Sequence, residues 1–295
     1  MREEVLLIGD PDALVGIVTI PDEAERGDQL PALLLLNSGM LHRVGPNRLY
    51  VKMARALASE GFLVLRFDLS GIGDSDQRDD SRSMHTRWTA EVREAMGSLE
   101  ETYGAKRFGL MGICLGATLS FKAACEDSRV LGAALINPQD HLHDGANELL
   151  HSEIWDSASA RHNWRIAFSS SMSSQKWWKA LRGEVDFRSV ARLLRVQAKG
   201  LFQRSGGASS ELAQIESSFV TLRARGAKIL HIYSEGDVGL DYLRLMLGRR
   251  FERYRTSGDL EIEIVSGSNH TFTLLDNQED LMASVGRWAH ALPRS

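Results

Sequence analysis

An alternation constrains this chain more than any other feature. Between residues 30 and 138, short continuous apolar runs take turns with longer segments of helical spacing. The runs are LPALLLLN (30–37), FLVLRFDLSG (62–71), RFGLMGI (107–113) and VLGAALINP (130–138). Runs without polar alternation suit strands buried on both faces. The intervening segments, NRLYVKMARALASEG and TRWTAEVREAMGSLEETYG, each end at a glycine, as a helix stop does. Strand–helix–strand units of this kind predict an α/β fold with a mostly parallel, doubly wound sheet. EEVLLIG and LVGIVTIPDE, joined through DPDA, add two strands at the start.

The alternation stops after residue 138. From 139 to 210 there is no clear buried strand, and the stretch holds Trp155, Trp164, Trp177 and Trp178 out of 6 tryptophans in the chain. It reads as a helical cap inserted into a core made of residues 1–138 and 211–295. The pattern resumes with ELAQIESSFVTLRARG (helix), KILHIYS (strand), DYLRLMLGRRFERYR (helix), LEIEIV (strand) and QEDLMASVGRWAHAL (helix).

Composition excludes several classes of function. A net charge of −4 with a pI near 6.2 gives no electrostatic case for nucleic acid or an anionic membrane. No apolar run approaches the ~20 residues of a membrane helix, and MREEVLLIGD lacks the basic-then-apolar order of a signal peptide. A cytoplasmic protein is the expectation. With only 2 cysteines, Cys114 and Cys125, neither a disulfide framework nor a cysteine-built zinc site is expected. HLHDG (141–145) lacks further ligands at useful spacing, GIGDSD lacks the Lys-Ser/Thr of a phosphate loop, and no cofactor is called for.

Cys125, in a helical segment, reads as a small packing residue, and His231, inside a strand, as a core histidine. Cys114 is different. It stands in GICLG, between Gly112 and Gly116, where the strand RFGLMGI passes into a helix. In open α/β sheets functional groups collect beyond the carboxyl ends of the strands. Two more loops of that kind carry Asp237, in SEGDVG, and His270, in SGSNHTF. The chain order is nucleophile, acid, histidine. Glu235, Asp241 and Asp140 are rivals for the acid.

This order, with Gly-x-nucleophile-x-Gly between strand and helix, resembles the α/β-hydrolase superfamily, with cysteine in place of the usual serine. Dienelactone hydrolases and polyhydroxyalkanoate synthases carry a Gly-x-Cys-x-Gly elbow. HRVGPNRLYVKMARALA with LRFDLSGIGDSD also resembles the hydrolases encoded beside exosortase systems, while a cap of this length departs from a minimal dienelactone hydrolase. The resemblance implies Cys114 as nucleophile, His270 as its base and Asp237 as the residue orienting the imidazole. It implies an oxyanion hole from the N–H of Leu115 and, in the loop NSGMLHRVG, the N–H of Met40. Asp68 and Asp74 are expected to shape a tight loop near the pocket. His42 and Arg43 lie beside the oxyanion loop, placed either to bind a substrate carboxylate or phosphate or to support the loop, Arg43 through a loop carbonyl.

Sulfur narrows the chemistry. A thiolate near a histidine and a helix N-terminus attacks readily at neutral pH and forms a thioester acyl-enzyme. The expected reaction is hydrolysis of an ester, lactone or thioester of a small-molecule acyl substrate, free or carrier-bound. Transfer of the acyl group to an amine, alcohol or thiol is the alternative, including cyclisation, and a non-catalytic binding protein of the same fold is the second. The tryptophans of the cap, with Trp177 as the candidate contact, suit an apolar or aromatic acyl group equally with simple anchoring to the sheet.

Overall fold

A computed structural model describes residues 1–9, 13–22, 30–78, 81–139, 207–258 and 260–294. The strands are β1 (Arg2–Ile8), β2 (Leu14–Ile20), β3 (Ala32–Leu36), β4 (Val64–Phe67), β5 (Phe108–Ile113), β6 (Val130–Ile136), β7 (Lys228–Ser234) and β8 (Glu261–Val265). The helices are α1 (Leu49–Ser59), α2 (Met84–Tyr103), α3 (Leu115–Glu126), α4 (Gly207–Ala224), α5 (Val238–Leu247), α6 (Arg250–Thr256) and α7 (Leu275–His290), with a 3-10 turn at Pro46–Arg48 before α1.

The strands form one 8-stranded sheet in the order β1-β2-β4-β3-β5-β6-β7-β8. The β1–β2 and β2–β4 pairs are antiparallel, and every pair from β4 through β3 to β8 is parallel. The mostly parallel, doubly wound α/β sheet expected from the alternation is therefore present. Its central strands are buried on both faces, which is why they read as unbroken apolar runs.

Successive residues of a strand point to opposite faces, so each strand feeds two cores. Leu34 and Leu36 of β3 pack with Trp88, Val92 and Met96 of α2 and with Leu119 and Phe121 of α3. Leu33 and Leu35 pack on the other side with Met53 and Leu57 of α1 and Leu281 and Val285 of α7. Strand order reverses at β3, since β4 lies on one side of it and β5 on the other. Such a switch point opens a crevice at the carboxyl ends of the two flanking strands, here β3 and β5.

Two element boundaries differ from the sequence reading. DYLRLMLGRRFERYR is two helices, because Gly248 adopts φ 52, ψ −126 and breaks the spiral between α5 and α6. The helix α4 starts at Gly207, inside the polar stretch read as the end of the cap. Residues 140–206 of the expected cap, with Trp177 and Asp140, lie outside the described residues. Among the described residues, no helix is long and apolar enough to cross a membrane.

Candidate active site

Cys114 is the residue between β5 and α3, and its backbone stands at φ 58, ψ −117. That region costs a side-chain-bearing residue about 1–3 kcal/mol and persists only when the surroundings enforce it. They do. The Cys114 N–H donates to the Ile136 carbonyl at 2.9 Å, and the Cys114 carbonyl accepts from Ala117 and Thr118 N–H at 3.0 and 3.3 Å. Gly112 and Gly116 touch across the turn: a Cβ on Gly112 would lie 2.5 Å from the Gly116 carbonyl carbon. A Cβ on Gly116 would lie 2.6 Å from the Leu36 carbonyl oxygen and 2.7 Å from that of Asn37. The two glycines of GICLG are thus explained by space. The same turn leaves the N–H groups of Leu115 and Gly116 at the start of α3, without intrahelical acceptors and at the positive end of the helix dipole.

Tyr50 of α1 supports this turn from below. Its buried hydroxyl donates to the Leu36 carbonyl and accepts from the Ile113 N–H, both at 2.9 Å, tying the ends of β3 and β5 together. Burial pushes the phenol far above its ordinary pKa, so it stays a neutral donor–acceptor bridge. The sequence reading did not single out Tyr50.

Asp237 and His270 meet. His270 Nδ1 lies 2.7 Å from Asp237 Oδ2, and Asp237 Oδ1 accepts from the Gly239 N–H at 2.8 Å, capping α5. The bond to Asp237 foremost, and then the hydrogen bond with Cys114, raise the His270 pKa to about 10. Two of the three rivals, those among the described residues, are engaged elsewhere. Glu235 is exposed and accepts from the Gly267 N–H at 2.7 Å, and Asp241 pairs with Arg244 at 3.5 Å. A groove of about 380 Å³ runs beside these loops, lined by Ser234, Asp237, Ser268, Asn269 and His270 among others.

The loop after β3 turns at Ser38–Leu41, with Leu41 N–H on the Ser38 carbonyl at 3.2 Å and Gly39 at φ 58. A turn closed in this way leaves the N–H of its central residues, including Met40, unused. Asn37 and Asp68 hold the loop. Asn37 Nδ2 donates to the Leu41 carbonyl at 2.8 Å and to Asp68 Oδ1 at 3.0 Å, while its Oδ1 accepts from Leu69 N–H at 2.9 Å.

Arg43 points inward. Its backbone N–H and guanidinium both bind the fully buried Asp68, and its Nη2 lies 2.7 Å from Asp74. Its partners are these carboxylates and not the loop carbonyl expected for a supporting role. His42 Nε2 lies 3.3 Å from the same Asp74 oxygen, and its half-exposed ring accepts from Val44 N–H at Nδ1. His42, Asp68 and Asp74 bring ligand-type atoms within 4.8 Å of one another. Arg43 already holds an oxygen of each carboxylate, so the guanidinium supplies the compensating charge there and the set does not suit a resident metal. His231 is fully buried in β7, stacked against Tyr233.

A model of the alpha/beta hydrolase fold matches residues 31–205. The chain belongs to the α/β-hydrolase family. No curated protein sequence matches it. Solved structures do, at low identity. A Pyrococcus furiosus esterase superposes with a TM-score of 0.58 at 13% identity, covering 99% of this chain and 91% of the other. A Xanthomonas campestris α/β serine hydrolase without a lid gives 0.55 at 14% identity, covering 100% and 97%. A Mycobacterium smegmatis proline iminopeptidase gives 0.56 at 17% identity, covering 97% and 98%. At these identities the likeness is one of fold. This α/β hydrolase places Cys114, the Ser38–Leu41 turn and the Asp237–His270 pair at the carboxyl ends of β5, β3, β7 and β8.

Proposed function

We propose that this protein is an acyl-transfer hydrolase in which Cys114 forms a thioester with the acyl group of a small-molecule substrate, free or carrier-bound. The observation that carries the reading is the approach of an Asp237-bound His270 to a cysteine held at a strained strand–helix turn. At neutral pH a histidine with a pKa near 10 holds a proton. The Cys114–His270 pair shares one proton: as the sulfur attacks the acyl carbon and the bond to the leaving group breaks, that proton passes through His270 to the leaving group. His270, now neutral, takes a proton from water as the water attacks the thioester, and when the carbon–sulfur bond breaks the pair again holds one proton. Asp237 holds the ring and stabilises its charge in both halves. The N–H groups of Leu115 and Met40 receive the charge that develops on the acyl oxygen.

The names of the structural neighbours, an esterase and a serine hydrolase among them, favour hydrolysis. The sulfur favours a second outcome, since thioesters pass readily to amines and thiols. Comparing turnover of an acyl thioester with and without added amines, alcohols and thiols separates the two: acceleration by one acceptor alone indicates transfer.

A further inference from the structure

Asn137 follows β6, is fully buried, and adopts φ 45, a left-handed conformation that asparagine tolerates better than most residues. Regular pairing of β6 with β7 ends at Ile136–Ile232. Beyond it the Asn137 N–H donates to the Ile232 carbonyl at 2.8 Å. The Asn137 side chain then replaces the ladder. Its Oδ1 accepts from Ser234 N–H at 2.7 Å, and its Nδ2 donates to the His270 carbonyl at 2.9 Å. The preceding residue, Ile136, offers its carbonyl to Cys114 N–H at 2.9 Å. Two consecutive residues therefore touch the cysteine turn, the strand end leading to Asp237, and the backbone of His270.

We infer that Asn137 is a positioning residue that fixes the His270 backbone relative to Cys114; the inference rests on the thiol chemistry proposed above. Asp237 sets the direction of the imidazole, but the His270 side chain is 36% exposed. Glu235 holds the loop at Gly267, and Asn137 Nδ2 holds it at the histidine itself, through the His270 carbonyl. An amide suits the task because it offers an acceptor to one loop and a donor to the other. Aspartate keeps the acceptor for Ser234 and removes the donor for His270. Glycine accepts the positive φ and removes both.

The test is alkylation of Cys114 by iodoacetamide across pH, followed by the mass of the Cys114 peptide, in wild type, Asn137→Asp, Asn137→Gly and His270→Ala. Thermal midpoints are measured alongside, and all rates are read below them. Both Asn137 variants are expected to slow alkylation near neutral pH by roughly ten- to a hundredfold, a range set by the sensitivity of such pairs to small displacements, and to move the profile toward that of His270→Ala. A lowered midpoint with a wild-type alkylation profile would make Asn137 a stability residue only and overturn the inference. If Asn137→Asp does not fold, Asn137→Gly decides the question by the same two measurements. If wild type already behaves like His270→Ala, the proposed thiol–histidine chemistry itself fails, an outcome distinct from failure of the Asn137 role.

Discussion

His270 and Asp237 are joined at 2.7 Å, and the carboxylate that joins them is also the N-cap of α5. The acid is thus fixed through Oδ1 independently of the histidine, which engages Oδ2. Gly239 follows from this: a Cβ there would lie 2.2 Å from the Pro138 carbonyl and 2.9 Å from Asp237 Oδ1.

The pair makes stability depend on pH in a defined direction. Folding raises His270 from about 6.5 to about 10, through Asp237 first and Cys114 second. Its contribution is fully present below about pH 6.5, declines as pH rises, and is gone above about 10. The difference in thermal midpoint between wild type and His270→Gln should therefore shrink from pH 6 to pH 11, modestly, because the ring is partly solvated. Asp237→Asn should move that decline toward neutral pH. A midpoint difference that is constant over the range would contradict the assignment.

The elbow sets function against stability. Cys114→Gly relieves the cost of a side chain at φ 58 and should stabilise the protein by about 1 kcal/mol while removing all acylation. Gly116→Ala should do the reverse to the fold, costing about 1–3 kcal/mol, because the atoms it meets are backbone oxygens of Leu36 and Asn37. Urea denaturation of the two variants checks both signs. A Gly116→Ala protein as stable as wild type would show that α3 and the end of β3 can separate at little cost.

Arg43 distinguishes support from substrate binding. Asp68 is fully buried, and Arg43 is its charged partner. Arg43→Met should lower stability by roughly 3–5 kcal/mol, the cost of leaving one member of a buried pair uncompensated. Wild-type stability with a raised KM confined to anionic substrates would restore the ligand-binding role.

What the sequence made legible follows from which forces are local. The apolar runs marked β3 to β6 because burial on both faces removes the polar alternation, and GICLG marked the turn because close backbone approach admits only glycine. Asp237 and His270 were readable from their order and their place after strands. Tyr50, Asn37 and Asn137 were not, because each acts on backbone groups far off in sequence: Asn137 on residue 270, Tyr50 on residue 113. NP after an apolar run looks like a strand end, and it is one, with an amide that also serves two other loops. The break at Gly248 was visible only as a glycine inside an otherwise helical pattern, where the local signal is ambiguous.

Acylation of Cys114 with the help of His270 is the central claim. Wild type, Cys114→Ala and His270→Ala are each incubated with a panel of short activated esters and acyl thioesters, quenched in acid, and weighed intact. The expected result is an increase in wild type equal to one acyl group, mapped to the Cys114 peptide, none in Cys114→Ala, and slower accumulation in His270→Ala. No adduct in wild type with any donor of the panel, or one that persists in Cys114→Ala, would contradict it.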